Sequence, residues 1–222
     1  MSAGYQTFES RDAWLQGRAS ARTIGGSEAA AVIGLSPYMS NVDLWMLKTG
    51  RAEPDPKISE NPVVIYGTKA EEHLRELFAL DFPEYRVMYE PNNMWKHPWF
   101  PWAHASLDFW MYDEEGRFGI GEIKTALITS RNRDQWDDQI PQHYYIQMLH
   151  NMMVAKADFG ILVAQQRWNR DGDVLKVTKH YKIETKDHLT DMQYLAIKEE
   201  NFWEQVKDDI CPALILPELG RR

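Results

Sequence analysis

The sequence of 222 residues contains a single cysteine, Cys211. One cysteine cannot form an internal disulfide bond or a thiolate zinc site, and this usage is typical of proteins in a reducing cytoplasm. No apolar run approaches the length of about 20 residues that a membrane-spanning helix needs. The first residues also lack the basic start and hydrophobic stretch of a signal peptide. We therefore expect a cytoplasmic protein without a membrane segment.

Three common catalytic motifs are also missing. The seven histidines include no His-Glu-x-x-His pair, which argues against a zinc protease. No Gly-x-Ser-x-Gly sequence is present, so a serine hydrolase of that type is excluded. Gly25 and Gly26 are not followed by Gly-Lys-Ser or Gly-Lys-Thr, and a phosphate-binding loop of the Walker type is excluded as well.

Positive charge is scarce, since the net charge is −8. Affinity for DNA comes largely from the neutralisation of phosphates. This acidity leaves two alternatives open: a basic channel within an acidic exterior, or a protein that does not bind DNA. Basic residues gather at Arg18 and Arg22, at Arg131 and Arg133, and between residues 167 and 182.

Apolar residues make up 44% of the chain, which is enough for one domain with a sizeable core. Nine tryptophans and ten tyrosines are many for this length, and we expect some to face a ligand or partner. The periodicity predicts a helical part over about residues 1–80 and a sheet-rich core over about 81–185. A long amphipathic helix over about 187–210 is expected to pack across the sheet.

Two predicted strands, 105–110 and 120–125, are joined by a polar turn. The period of two in a strand places Glu122 and Lys124 on the same face. If the strands pair, Asp108 lies beside Glu122. Two acids and a lysine suit a hard divalent cation such as Mg²⁺, and the lysine can act on a water whose pKa the metal lowers.

A solvated hairpin face with a cross-strand ion pair is the alternative, because Glu-x-Lys alone occurs by chance. Against it, Ile120, Ile123 and residues 126–128 make an apolar strand, in which charges are usually paired or functional. An Asp followed by Glu-x-Lys after a hairpin resembles the PD-(D/E)xK nucleases. Leu107 stands here where the name of that superfamily has proline.

The segment around Ser27 also has two interpretations. Gly25 and Gly26 free the backbone, and Ser27 is predicted to be the N-cap of an alanine-rich helix. A helix start of this kind binds anions, and Arg22 is the candidate for a charged clamp. The alternative is an ordinary capped helix.

Two polar residues on predicted helices are further candidates. Glu71, on a helix over residues 66–78, either reaches a metal or pairs with Arg75 one turn later. Gln147, on a helix over residues 142–155, needs a hydrogen-bond partner if it is buried.

Taken together and in order, four sequence blocks resemble the lambda-exonuclease family, also called YqaJ-type viral recombinases. The blocks are residues 24–38, residues 66–71, Asp108 with residues 121–124, and residues 144–147. The resemblance covers roughly residues 14 to 165. It implies an α/β fold in which helices flank a mixed central sheet, as in restriction endonucleases. It also implies a homotrimeric ring around duplex DNA.

Carried over by position, the resemblance implies a set of metal ligands: Asp108, Glu122, the backbone carbonyl of Ile123, and Glu71 at or near a second ion. The ion is Mg²⁺, with Mn²⁺ as a substitute. Lys124 activates the attacking water, and Gln147 places the nucleophile or the scissile phosphate. These five side chains and one carbonyl form the predicted catalytic centre.

The resemblance further implies that a serine and an arginine near the first block bind the 5′ end of DNA. Ser27 matches the serine, whereas Arg22 and Arg18 both compete for the arginine and Arg22 is our first choice. Tyr144, Arg131 and Arg133 are additional predicted DNA contacts.

The implied activity is Mg²⁺-dependent 5′-to-3′ digestion of one strand of linear duplex DNA to mononucleotides. It serves phage-type recombination beside a single-strand annealing protein. Two alternatives remain: an endonuclease of the same superfamily, or a non-catalytic scaffold that binds DNA ends. A Cas4-like enzyme is excluded because its iron–sulfur cluster needs several cysteines.

Overall fold

The computed structural model of the chain describes residues 3–170 and 173–216. The α-helices of this part are α1 (Arg11–Ala21), α2 (Gly26–Val32), α3 (Asn41–Lys48), α4 (Pro62–Asp81), α5 (Gln142–Ala155) and α6 (Leu189–Lys207). The strands are β1 (Gly4–Thr7), β2 (Ile24–Gly25), β3 (Arg86–Met88), β4 (Asn93–Lys96), β5 (Ala103–His104), β6 (Phe109–Tyr112), β7 (Phe118–Leu127), β8 (Phe159–Arg170) and β9 (Asp173–Glu184). None of the helices in the described ranges is both long and apolar enough to cross a membrane.

A five-stranded sheet in the order β3-β6-β7-β8-β9 forms the centre of the fold. β7 and β8 are parallel, and the other neighbours are antiparallel. A parallel pair needs a crossover of a dozen or more residues, and α5 provides it. The predicted mixed sheet flanked by helices is therefore confirmed.

The residues of β7 alternate between the two faces of the sheet. On one face, Ile123 joins Ile161 and Val163 in an apolar cluster that Leu74 and Phe78 of α4 complete. Fully burying side chains of this size contributes about 1.5–3 kcal/mol each. The intervening residues of β7, which include the predicted acid and lysine, therefore face α5.

Helix α6 packs against α5 and α2. The prediction that it lies across the sheet is wrong. All residues of α5 from Ile146 to Ala155 are buried, so α5 itself fills the layer next to the sheet. A helix that is buried all round needs a cover on its outer side, and Met192, Leu195 and Phe202 of α6 supply it.

The start of α2 differs from the prediction. The helix begins at Gly26 and its N-cap is Gly25, so Ser27 is the second helical residue. The backbone N–H of Gly25 donates to the carboxylate of Glu28 at 2.8 Å. The Glu28 carboxylate therefore caps the helix start in place of the predicted serine.

Helix α4 begins at Pro62, four residues before the predicted start. The side chain of Asn61 accepts a hydrogen bond from Val63 N at 2.9 Å and caps the helix. Proline is well suited to the first helical position because its missing N–H would have no partner there. The prolines of this region therefore mark a helix start as well as an exposed turn.

The first strand of the predicted hairpin is displaced by four residues. Ala105 pairs with Trp95 instead, and β6 begins at Phe109. Asp108 thus lies immediately before β6. Opposite Phe109 in the register is Gly121, and any side chain there would collide with the Phe109 ring.

The side chain of Asn41, at the start of α3, forms hydrogen bonds with the backbone of residues 213–215. Its Nδ2 donates to Ala213 O at 2.8 Å, and its Oδ1 accepts from Ile215 N at 3.0 Å. Asn41 is only 2% exposed, so both halves of its amide depend on these bonds. The side chain of Ile215 also packs against Gly34, whose φ is +75°.

Candidate active site

The site lies at the point along β7 where its pairing with β6 ends. β7 has ten residues, but β6 pairs only with its first four, Phe118 to Gly121. Beyond that point the N–H of Ile123 donates to Oδ2 of Asp108 at 2.7 Å. The Asp108 carboxylate therefore occupies the position of the missing strand, beside Glu122 as the sequence predicts.

Glu122 is 3% exposed and is held by three donors. Its Oε1 accepts from Lys124 Nζ at 2.7 Å and from Gln147 Nε2 at 2.6 Å. Its Oε2 accepts from Asn151 Nδ2 at 3.0 Å. The Lys124 contact confirms that the two charged residues of β7 share a face, and Gln147 has the partner that its burial demands.

The acids influence one another strongly. Burial, followed by the negative charges of Glu122 and Glu71, raises the pKa of Asp108 well above its ordinary value. Burial and the charge of Glu122 also raise the pKa of Glu71. Like charges in a low-dielectric site disfavour the ionised forms. A bound cation would favour those forms and relieve the repulsion.

Burial alone would lower the pKa of Lys124, but the charges of Glu122 and Asp108 outweigh it and raise the pKa above its usual value. Its Nζ lies 5.3 Å from the centroid of the Tyr144 ring. Burial, followed by the neighbouring Tyr38, raises the pKa of Tyr144 to about 12. Lys124 is therefore an ammonium group between carboxylates and a neutral phenol.

A cavity of about 240 Å³ adjoins the acids. Glu71, Asp108, Glu122, Gln147 and Ser27 all line it. The structure therefore brings together five of the predicted site residues, and Lys124 touches the cavity wall through Glu122.

Arginines line the same cavity at Arg11, Arg18 and Arg75. The guanidinium of Arg18 lies 4.6 Å from the Trp14 ring, and that of Arg75 lies 3.6 Å from the Tyr89 ring. Such contacts restrain the guanidinium groups without neutralising them. The cavity thus combines an acidic cluster with a set of fixed cations.

Four predicted DNA contacts lie outside the cavity lining: Arg22, Arg131, Arg133, and Tyr144, whose ring lies next to Lys124. Arg22 is exposed, ends α1 in the left-handed conformation (φ 45°) and does not belong to the cavity lining. Arg18, one helical turn earlier, does belong to it. Arg131 and Arg133 are exposed residues beyond the end of β7, outside the lining.

Within residues 3–170 and 173–216, no group of three or more His, Cys, Asp or Glu side chains is arranged to hold a metal ion. The predicted set for the first ion uses two side chains, Asp108 and Glu122, with the Ile123 carbonyl, and Glu71 was predicted at or near a second ion. Mg²⁺ is commonly bound by one or two carboxylates, with waters and substrate phosphates completing its shell. The donor chemistry of this edge fits such an ion.

Sequence reasoning missed Asn151 and the neighbouring His150. Both follow Gln147 on α5 at helical spacing, and both are buried. His150 Nδ1 lies 2.7 Å from Glu199 Oε1 of α6, and both side chains are 0% exposed. Their spacing of about one helical turn from Gln147, within an otherwise apolar helix, could have indicated that they are buried on the same side of α5.

His104 was missed as well, although it lines the cavity. Its Nδ1 lies 2.8 Å from Thr23 Oγ1, and its carbonyl accepts from His150 Nε2 at 2.9 Å. Burial, followed by the charges of Arg18 and His150, lowers the pKa of His104 to about 2. The ring is therefore neutral, and no motif in the sequence marks it.

The profile of the YqaJ-like viral recombinase domain matches residues 13–158. The chain is also similar to the uncharacterized protein YqaJ of Bacillus subtilis (strain 168), with 29% identity over 212 residues. The match covers 92% of this chain and 59% of that protein. The chain therefore spans somewhat more than half of the length of this relative.

Among solved structures, the chain resembles the alkaline exonuclease LHK-Exo of Laribacter hongkongensis. The TM-score is 0.65 at 18% identity, over 89% of this chain and 93% of that one. The complex of LHK-Exo with dAMP gives a TM-score of 0.62 at 17% identity, over 86% and 91%. At this identity the likeness shows a shared fold. Because the profile covers more than half of the sequence, the chain belongs to the YqaJ-like viral recombinase domain family.

Proposed function

We propose that this protein is a metal-dependent exonuclease that degrades one strand of linear duplex DNA from its 5′ end. The convergence of Asp108, Glu122 and Lys124 at the open edge of β7, beside a cavity lined by arginines, carries this proposal. Membership of the YqaJ-like family supports it. The alkaline exonuclease with the same fold, solved in complex with dAMP, supports a deoxynucleotide substrate.

Asp108, Glu122 and the carbonyl of Ile123 would hold Mg²⁺, with Mn²⁺ as a substitute and Glu71 near a second ion. The metal would lower the pKa of the attacking water and stabilise the charge on the attacking and leaving oxygens. Gln147 and Asn151 hold the carboxylate of Glu122 in place before an ion binds. Such preorganisation is what charge stabilisation in a transition state requires.

Lys124 orients the attacking water. As an ammonium group it has three donors, one of which Glu122 occupies at 2.7 Å. The remaining donors would bind a water or a phosphate oxygen next to Glu122. Tyr144, whose ring lies 5.3 Å from Nζ, restricts the lysine to this position.

Arg18 and Ser27 bind the terminal 5′-phosphate, with Arg11 and Arg75 nearby. Guanidinium groups recognise phosphates through paired hydrogen bonds. Arg18 takes the role that the sequence assigns first to Arg22, because Arg18 lines the cavity and Arg22 does not. Ser27 contributes through its hydroxyl.

The net charge of −8 is compatible with this function because cations are concentrated where phosphates must enter. Arg131 and Arg133 would contact the duplex outside the cavity. We further propose a ring-shaped homotrimer around the duplex and a single-strand annealing protein as partner.

The proposal is tested with linear duplex DNA labelled at one 5′ or one 3′ end, with a covalently closed circle as the control. We expect mononucleotides from the 5′-labelled end with Mg²⁺ or Mn²⁺, and no cleavage with Ca²⁺ or excess EDTA. A 5′-phosphate should be digested faster than a 5′-hydroxyl. Cleavage that survives EDTA contradicts the metal mechanism.

The same assay separates the alternatives. Cutting of the closed circle would identify an endonuclease. Binding of DNA ends without cleavage under any metal would identify a scaffold.

A further inference from the structure

His104 is held rigidly on one side of its ring. Its Nδ1 lies 2.8 Å from Thr23 Oγ1, and both residues are buried. Its carbonyl accepts from His150 Nε2, and the Thr23 carbonyl accepts from Lys48 Nζ at 2.8 Å. Side chain and backbone are therefore both fixed, and the ring has one orientation.

The opposite edge of the ring lies close to Gly25. A methyl group in place of the Gly25 hydrogen would lie 3.1 Å from Cε1 and Nε2 of His104, and 3.3 Å from Nη2 of Arg18. The imidazole and the guanidinium thus flank the same glycine, and both residues line the cavity. A side chain at Gly25 would crowd both groups, and its absence lets both face the cavity.

Within the described residues, Nε2 of His104 makes no hydrogen bond. Nε2 is not one of the fully buried atoms that lack a partner, so it is accessible from the cavity. If the Thr23 hydroxyl donates to Nδ1, the single proton of the neutral ring resides on Nε2. Nε2–H and the Arg18 guanidinium are then two donors that converge on one space, which suits an anionic oxygen.

We propose that His104 binds a phosphate oxygen of the DNA end through Nε2–H, together with Arg18. This inference rests on the proposed nuclease function. His104 adds a directed hydrogen bond without adding a charge, because burial, Arg18 and His150 lower its pKa to about 2. His150, held by Glu199, and Thr23 act as positioning residues for the ring.

The competing arrangement has Nδ1–H donating to Thr23 and Nε2 accepting from Arg18. His104 would then only orient the arginine. Two substitutions separate the alternatives: the amide nitrogen of His104→Gln can occupy the place of Nε2, whereas that of His104→Asn can occupy the place of Nδ1.

Binding of a 5′-phosphorylated duplex is measured with Ca²⁺, so that no strand is cut. We expect His104→Asn to weaken binding by about tenfold, the loss of one hydrogen bond to a charged group. His104→Gln should bind within about threefold of the parent protein, because its amide keeps a donor at the place of Nε2. With a 5′-hydroxyl duplex the two variants should bind alike. His73→Gln, an exposed histidine of α4, is the control.

Equal losses in His104→Gln and His104→Asn, at matched thermal unfolding midpoints, overturn the contact. Equal retention in both does so as well. ¹⁵N-histidine spectra give an independent reading: the Nε2–H tautomer supports the proposal, and the Nδ1–H tautomer contradicts it. A parent protein that neither binds nor cleaves DNA refutes the proposed function itself, whereas a cleaving parent with the wrong variant pattern refutes only the role of His104.

Discussion

Helix α5 contacts two buried acids that behave differently. Glu122, 3% exposed, accepts hydrogen bonds from Gln147 and Asn151. Glu199, 0% exposed, pairs with His150 on the same helix. Both acids are buried to nearly the same degree, yet only Glu122 lines the cavity.

The difference lies in the charge that remains around each acid. Glu122 shares its site with two further acids, Asp108 and Glu71, and burial together with this crowding of like charges raises the pKa values of both. Glu199 faces one imidazole whose pKa its charge raises against the effect of burial, so that pair is balanced. Burial alone therefore does not mark a functional site. Burial together with unbalanced charge does, because such a site gains from binding an ion.

The largest effect is expected from Glu199→Ala. Removing one partner of a buried pair leaves the other without compensation, which costs about 3–5 kcal/mol. We expect the free energy of unfolding in urea to fall by this amount. Glu200→Ala, at an exposed position of the same helix, is the control. Equal effects of the two substitutions would show that the pair does not stabilise the fold.

Lys124→Ala should act on chemistry instead. Cleavage should fall by about 10²-fold, as expected for loss of a group that acts on the water. Binding of DNA with Ca²⁺ should persist, because the carboxylates remain. Lys198→Ala, on the outer side of α6, serves as the control in the same steady-state assay. If Lys124→Ala cleaves at the parental rate, the lysine serves only as the counter-ion of Glu122.

The smallest effect is a pH dependence of stability. The pKa of His150 is raised in the folded state, mainly because the charge of Glu199 outweighs burial. Its contribution is therefore complete below the unfolded value of about 6.5 and is lost as pH rises through the folded value. The stability difference between the parent and Glu199→Gln should be largest near pH 6 and shrink towards alkaline pH. Each unit of pKa difference corresponds to about 1.4 kcal/mol.

Urea unfolding of the parent and Glu199→Gln at several pH values from about 6 upward measures this stability difference. His104 and His143 have lowered pKa values, to about 2 and about 4, mainly through burial. Their contributions are lost as pH falls below about 6.5, the opposite direction. Measurements from about pH 6 upward keep both contributions small, which matters for His104 because the charge of His150 is one cause of its lowered pKa. A difference that stays constant with pH would show that His150 is not charged.

Much of the fold could be predicted because local patterns decide it. α5 spans Gln142–Ala155 as its periodicity predicts, and β7 contains the whole predicted second strand. Errors arose where one signal had two meanings. The predicted helix over 66–78 begins four residues too late because Pro62 starts α4, and the predicted cap Ser27 is wrong because Gly25 is the N-cap and Glu28 accepts its N–H. The position of α6 depends on which layer α5 occupies, and the local sequence pattern does not predict that layer.

The acids and the lysine of the site were found because period-two spacing and a hairpin place them together. Asn151 and His104 were not found, because the role of an amide or an imidazole depends on contacts with residues that are distant in the sequence. Thr23, the partner of His104, is 81 residues away from it. Arg18 and Arg22 could not be separated because the left-handed turn that ends α1 decides which one faces the cavity.

The bonds of Asn41 have a consequence for the order in which the chain folds. Its amide reaches residues 172 and 174 positions later, among the longest separations in the molecule. Closing so long a loop carries an entropic cost before the contact is made, and contacts of this kind slow folding. During synthesis, α3 is made long before its partner. The bonds of Asn41 and the packing of Ile215 on Gly34 can therefore form only after residues 213–215 have left the ribosome, so we expect the contact between these segments to gain protection from hydrogen exchange late.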